Sequence, residues 1–179
     1  ITEQNLPNIT RVTPTLVNEN KPLADAIIKG GKVKKIAIIS DTSDYGVANT
    51  KWFSEFFKAA GGEIVFSDAA AVGTTDFRVM LTKAKAANPD AVYFGGVVTE
   101  AGLVRRQMAD LGMGSLPMYG ISGIFDPKFI EIAGPAAEGT IVGIPAVQSN
   151  PKLDEFNKTY EARGFSEPAG SYAKYAYEA

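Results

Sequence analysis

The sequence predicts an α/β fold, in which a doubly wound and mostly parallel sheet carries helices on both faces. Short apolar runs alternate along the chain with stretches whose apolar residues recur at helical spacing. The first run, residues 36–39, is continuous, which is typical of a strand buried on both faces. The resulting order is α-β-α-β-α-β-α-β-α-β, which favours parallel strands joined by right-handed crossovers.

The first half of the chain gives two helices and two strands. We predict a helix over residues 16–28, which ends at the Gly30-Gly31 pair. After the strand at residues 36–39, a second strand is expected at residues 63–66. Between these strands, four apolar residues at positions i, i+3, i+4 and i+7 predict a helix: Phe53, Phe56, Phe57 and Ala60.

The second half continues the alternation. Thr75 or Asp76 is expected to cap the third helix, and Thr99 the fourth. The Gly95-Gly96 pair ends the third strand. The remaining predicted elements are strands at residues 91–94, 117–121 and 139–144 and a short helix at residues 127–132.

The ends of the chain differ in character from its middle. Residues 1–15 are polar with two prolines and are typical of an entry segment or linker, whereas residues 16–145 form the predicted α/β domain. Residues 146–179 predict further helices, and the last of them contains tyrosines that need a surface to pack on. The chain opens without Met and stops within a helical pattern, so we expect a processed chain or a fragment.

Composition narrows the classes of function. The chain has 179 residues, a net charge of −2, no His and no Cys. These absences exclude thiol and imidazole nucleophiles and the usual zinc and copper ligands. No basic run points to nucleic acid, and no Gly-rich loop of the dinucleotide or Walker type points to a nucleotide cofactor. Asp, Glu, Lys or Tyr could still serve in catalysis, so composition alone leaves an enzyme open.

The loop after the first strand is the main candidate site. Asp41, Ser43, Asp44 and Tyr45 follow that strand, and ligands of open α/β sheets bind at the carboxyl ends of the strands. Tyr45 could offer its ring and hydroxyl to a ligand, with Asp44 nearby. The same residues would also form an ordinary turn that caps the next helix. Composition alone leaves both interpretations open.

Three other features have plain structural interpretations. The Gly95-Gly96 pair could let a ligand approach the backbone, or it could form a tight strand-to-helix turn. Arg105 and Arg106 are expected to lie on a solvated helix face, and Trp52 to serve packing rather than recognition.

Several segments in the same order and spacing resemble a known family. KKIAIISDTSDYG, AAGGEIVFSDAAAVGTTDF, LTKAKAANPDAVYFGG and AGPAAEGTIV resemble the type I periplasmic solute-binding proteins of the branched-chain amino acid group. The resemblance implies two α/β lobes joined by crossing segments, with the ligand between them, in the periplasm or on a membrane-anchored lipoprotein. Such proteins deliver their ligand to the membrane permease of an ABC importer, so the resemblance implies a binding protein without metal or cofactor, and not an enzyme. This chain resembles the second lobe and lacks most of the first. Residues 1–15 resemble a crossing segment, and residues 146–179 resemble a crossing segment followed by helices that normally return to the first lobe.

The resemblance also implies ligand contacts. Tyr45 matches the aromatic residue of the D-x-x-x-Y-G stretch, and Val97 follows the Gly-Gly pair at a position that is often aromatic. Ser122 stands in GISG, where the family stretch G-x-[DE]-G carries the acid that pairs with the ligand's amino group. A buried ammonium without a carboxylate is unfavourable, so we predict a small, amine-free carboxylate ligand with an apolar or aromatic body, unless another acid such as Asp44 substitutes.

Other interpretations remain open at the level of sequence. The same fold serves as the ligand-sensing domain of receptors and transcriptional regulators, and a flavodoxin-like enzyme is a third option. The tyrosine-containing tail, with Tyr172, Tyr175 and Tyr177, could also mediate self-association of the chain.

Overall fold

The computed structural model describes residues 6–145, 151–166, 169–170 and 172–178. The chain divides into two compact units, one of Leu16–Ile144 and one of Ile1–Thr15 with Pro145–Ala179. The helices are α1 (Leu16–Lys29), α2 (Asp44–Ala59), α3 (Arg78–Ala86), α4 (Val98–Asp110), α5 (Pro127–Ala133), α6 (Pro151–Ala162) and α7 (Ala173–Glu178). The strands are β1 (Lys35–Asp41), β2 (Glu63–Ala70), β3 (Ala91–Gly95), β4 (Met118–Ile121) and β5 (Thr140–Gly143).

The five strands form one parallel sheet in the order β2-β1-β3-β4-β5. The predicted α/β class and the predicted order of elements are therefore confirmed. Strand β1 lies between β2 and β3. The chain therefore passes from β1 to β2 on one side of β1, and then crosses to β3 on its other side. The change of direction creates a crevice at the carboxyl ends of β1 and β3, where ligands of such sheets bind.

Strand β1 separates two apolar cores. Ala37 and Ile39 pack into the core that contains residues of α3, α4 and α5, whereas Ile36 and Ile38 pack into the core formed with α1 and α2. All four side chains are fully buried. This is the pattern expected of a central strand covered on both faces, since successive side chains point to opposite sides.

The predicted helix starts are confirmed only in part. Helix α3 begins after Phe77, and of the two predicted capping residues Asp76 accepts the backbone N–H of Arg78, the first residue of the helix, at 3.1 Å. The backbone N–H of Phe77 donates to Gln107 Oε1 of α4 at 2.7 Å, so a tertiary bond also holds this helix start. Helix α4 begins after Val97 rather than at Thr99.

Arg105 is buried, so the prediction that it lies on a solvated helix face is wrong. Its side chain is only 2% exposed, whereas Arg106 is exposed as predicted. The Arg105 guanidinium donates to four backbone carbonyls, those of Gly114 and Leu116 between α4 and β4 and those of Ala136 and Glu138 between α5 and β5. The Arg105 side chain is therefore a fixed structural element, and burial lowers its pKa.

The second compact unit contains α6 and α7. Its aromatic side chains pack on one another, with ring centroids 5.3 Å apart for Phe156 and Tyr177 and 4.9 Å apart for Tyr160 and Phe165. Residues 146–150, where the sequence predicted the return segment to begin, lie outside the described residues. The assignment of residues 1–15 and 146–179 as crossing segments, and the self-association of the tail, stay predictions.

Candidate ligand-binding site

The loop after β1 is built around a buried carboxylate. Asp41 is only 2% exposed, and its Oδ1 accepts hydrogen bonds from the Ser43 backbone N–H at 2.9 Å and from the Ser43 hydroxyl. The Ser43 Oγ in turn accepts the Gly46 N–H at 3.0 Å and caps α2. Asp41 and Ser43 thus fix the start of the helix, so this part of the loop is the capping turn that composition allowed.

Two glycines allow the loops after β1 and β3 to approach closely. A Cβ atom on Gly46 would fall on the Asp41 carboxylate, and one on Gly96 would lie 2.5 Å from Asp41 Oδ2. Neither position tolerates a side chain without movement of the neighbouring loop. Packing therefore explains both glycines of the Gly95-Gly96 pair without a ligand, because a Cβ atom on Gly96 would meet Asp41 and Phe94 and one on Gly95 would lie 2.6 Å from Thr50 Oγ1.

Tyr45, in the first turn of α2, contacts the loop after β4. Its ring lies against Gly123, so that a Cβ atom on Gly123 would be 3.0 Å from Tyr45 Cε1 and Cζ. The side chain is half-buried, its hydroxyl oxygen is buried, and the ring packs on the core beside α1 and α2. The D-x-x-x-Y-G stretch thus places this aromatic residue at the carboxyl edge of the sheet.

Ser122 lies at the end of β4 and is 6% exposed. Its backbone N–H donates to Glu19 Oε2 of α1 at 3.1 Å, and Glu19 is itself 6% exposed. Sequence reasoning missed Glu19 because it assigned the inner face of α1 to apolar residues. A signal was present: Glu19 lies four residues before Leu23 and eight before Ile27, on the same helical face.

A buried polar network lies beside Glu19. The Tyr93 hydroxyl of β3 is 2.7 Å from both Asn20 Oδ1 and Asn49 Oδ1, and Asn20 Nδ2 donates to Asn49 Oδ1 at 2.9 Å. Burial raises the pKa of the Tyr93 hydroxyl well above its ordinary value, and the proximity of Tyr45 and Glu19 raises it further. This network joins α1, α2 and β3 below the edge of the sheet and leaves Tyr93 neutral.

The structure therefore brings together two of the four predicted site residues. Tyr45 and Ser122 both border the loop after β4, whereas Asp44 is exposed in the first turn of α2 and Val97 is 41% exposed where α4 begins. Among the described residues there is no cluster of three or more acidic side chains suited to a metal ion.

The sequence profile described as periplasmic binding protein matches residues 1–179. This chain belongs to the periplasmic binding protein family. Within it, the chain falls in the type I branched-chain amino acid group, and the family consists of binding proteins rather than enzymes. None of the helices in the described part of the chain is long and apolar enough to cross a membrane.

Relatives in the family include a Leu/Ile/Val-binding protein homolog from Brucella melitensis, which is 32% identical over 184 residues, covering 100% of this chain and 48% of the relative. A Leu/Ile/Val-binding protein from Citrobacter freundii is 31% identical over 76% of this chain and 37% of its own length. The chain spans about half the length, or less, of the curated relatives it matches.

Two solved structures of the family share this fold. A leucine binding protein from Thermotoga maritima superposes with a TM-score of 0.85 at 28% identity, over 94% of this chain and 49% of its own. A branched-chain amino acid transporter substrate binding protein from Streptococcus pneumoniae, crystallised with isoleucine, gives a TM-score of 0.80 at 27% identity, over 93% of this chain and 48% of its own.

Proposed function

We propose that this chain is the ligand-binding second lobe of an extracytoplasmic solute-binding protein that supplies the permease of an ABC importer. The observation that carries the proposal is the position of Tyr45. It lies at the carboxyl edge of a parallel sheet, beside the crevice between β1 and β3, and contacts the loop after β4. The membership of the family and the names of the relatives support the same function.

The proposed ligand is a small molecule related to the branched-chain amino acids. One face of the site is apolar or aromatic, because Tyr45 and the exposed Val97 both lie at the ends of strands on this edge. The relatives named for leucine, isoleucine and valine favour an aliphatic amino acid. Asp44, Tyr45, Val97 and Ser122 are the proposed contacts, with Asp44 the most peripheral of them.

An amine-free carboxylate is the second candidate for the ligand. Ser122 favours it, because a hydroxyl stands at the position where the family resemblance implies an acid. A ligand ammonium buried there without a carboxylate partner would lose affinity by about two to four orders of magnitude. A ligand-sensing domain of a receptor or regulator is the alternative to the importer, and a fused signalling or DNA-binding segment in the gene would support it.

A thermal-shift screen of the complete gene product tests the function. The panel contains leucine, isoleucine and valine beside aliphatic and aromatic carboxylates that lack the amine. A ligand of the folded state raises the melting temperature, by an amount that grows with its concentration over Kd. We expect a shift with at least one of the two groups. A screen in which neither group shifts the melting temperature would contradict the proposed function.

A further inference from the structure

Glu19 is a buried carboxylate at the same edge of the sheet as Tyr45, on an element outside the predicted site. We propose that Glu19 receives the ammonium group of the ligand, in place of the acid that Ser122 lacks. The ligand is then an amino acid or another small carboxylate with a primary amine. This inference rests on the proposed function, because it concerns the same site.

The position of Glu19 follows from its bond to Ser122. The Glu19 Oε2 accepts the Ser122 N–H at 3.1 Å, and the next residue, Gly123, faces the Tyr45 ring. The carboxylate and the ring therefore flank the same two residues of the loop after β4. A carboxylate at the Ser122 backbone can supply the negative charge that a side chain at position 122 would otherwise carry.

The charge of Glu19 lacks a partner of opposite sign in the part of the chain that the structure describes. The nearest basic residue in sequence, Lys21, is exposed and pairs with Asp25 at 2.7 Å. One backbone N–H is the only hydrogen-bond donor that the described residues give to Glu19. An ionised carboxylate has about four acceptor positions, and a buried one is unfavourable unless it is paired. A ligand ammonium would provide both the charge and the missing donors.

A purely structural role makes a different prediction. If Glu19 serves only to accept the Ser122 N–H, a glutamine at position 19 can do the same with its amide oxygen. If Glu19 binds an ammonium, glutamine retains the backbone bond and loses the charge. The substitution Glu19→Gln therefore separates the two roles.

The experiment is isothermal titration calorimetry on the complete gene product. The ligands are leucine, the keto acid of leucine, and isocaproate, which share a skeleton and differ at the amine. We expect Glu19→Gln to weaken leucine binding about 100-fold or more. It should change the affinity for the two amine-free ligands only a few-fold. Asp90→Asn is the matched control, because Asp90 also accepts backbone N–H groups but follows the loop before β3, at the opposite edge of the sheet.

A second variant guards against misfolding. If Glu19→Gln does not fold, Glu19→Asp takes its place. It keeps the negative charge but moves it back by the length of one methylene. It should weaken the binding of leucine and leave the binding of the amine-free ligands unchanged. In the Glu19→Gln background, Ser122→Asp should restore leucine binding, because it returns an acid to the loop.

The outcomes separate this inference from the proposed function. Leucine binding that Glu19→Gln leaves unchanged overturns the role of Glu19 and leaves the solute-binding function intact. A wild-type protein that binds only the amine-free ligands also overturns it and supports a carboxylate importer. A wild-type protein that binds no ligand of either group contradicts both.

Discussion

The Tyr45 ring occupies the space that a side chain on Gly123 would fill. A Cβ atom at position 123 would lie 2.5 Å from the Tyr45 hydroxyl oxygen and 3.0 Å from Cε1 and Cζ. Position 123, between β4 and α5, is therefore a glycine because a side chain would clash with Tyr45, and not because the backbone adopts unusual angles. The glycine allows the Tyr45 side chain, from the first turn of α2, to pack against the neighbouring loop.

Gly123→Ala should impair ligand binding more than folding. The new methyl group meets the far end of the Tyr45 side chain, which can rotate away at a cost of about 1 kcal/mol in off-rotamer strain. We expect the free energy of unfolding to fall by about 1 kcal/mol or less and the affinity for the best ligand of the screen to fall about tenfold. Urea denaturation and calorimetry measure the two quantities.

Gly114→Ala is the control for this prediction. Its Cβ atom would make ordinary contacts, 3.4 Å from Ala109 Cα and 3.5 Å from Ala109 Cβ, and the position lies in the loop between α4 and β4. It should leave the affinity unchanged. Equal losses of affinity in the two variants would show that Tyr45 does not depend on Gly123.

Much of this fold is readable from the sequence, because the signals for it are local. The continuous apolar run of β1 and the aromatic stripe of α2 each predict one element and its buried face. The resemblance adds Tyr45 and Ser122 to the site. The partners of Glu19 and Arg105 could not be predicted in this way, because they are backbone groups distant in sequence: Ser122 for Glu19, and the loops at Gly114 and Ala136 for Arg105.

Arg105 should be among the residues whose loss most destabilises the protein. Arg105→Ala removes the donors to four carbonyls and leaves them buried, so we expect the free energy of unfolding to fall by about 3–5 kcal/mol. Arg105→Lys should recover only part of this, because an ammonium cannot reproduce the planar arrangement of donors. Arg106→Ala, at an exposed position on the same helix, is the control and should cost about 0.5 kcal/mol or less. Similar urea midpoints for the two alanine variants would contradict this role.

Asp90 should contribute stability that disappears in acid. The Lys34 and Lys35 backbone N–H groups donate to its Oδ2 at 2.9 and 2.8 Å and lower its pKa from the ordinary value of 3.8. A lowered pKa in the folded state stabilises the protein above pH 3.8, and the contribution is lost as the pH falls below that value. We expect Asp90→Ala to destabilise the protein by about 1–2 kcal/mol at pH 7, with a smaller difference near pH 3.

Urea denaturation of both proteins across this range of pH measures the effect. Asp25→Ala, which removes an exposed ion pair with Lys21, should change stability little at either pH. A difference between the wild type and Asp90→Ala that is the same at both pH values would refute the linkage.

Tyr93 should make the protein sensitive to alkali. Burial raises the pKa of its hydroxyl above the ordinary value of 10.0, so the folded state is fully stabilised below that pH and loses stability as the pH rises above it. Tyr93→Phe should lower the free energy of unfolding by about 1–3 kcal/mol at pH 8, because Asn20 Oδ1 and Asn49 Oδ1 lose the one hydroxyl donor that they share. The same substitution should reduce the loss of stability in alkali. Tyr119, whose pKa burial also raises, supplies a comparison through Tyr119→Phe. Urea unfolding between pH 8 and pH 11 measures how the stability of each variant depends on pH. If Tyr93→Phe loses as much stability in alkali as the wild type, other groups cause the loss.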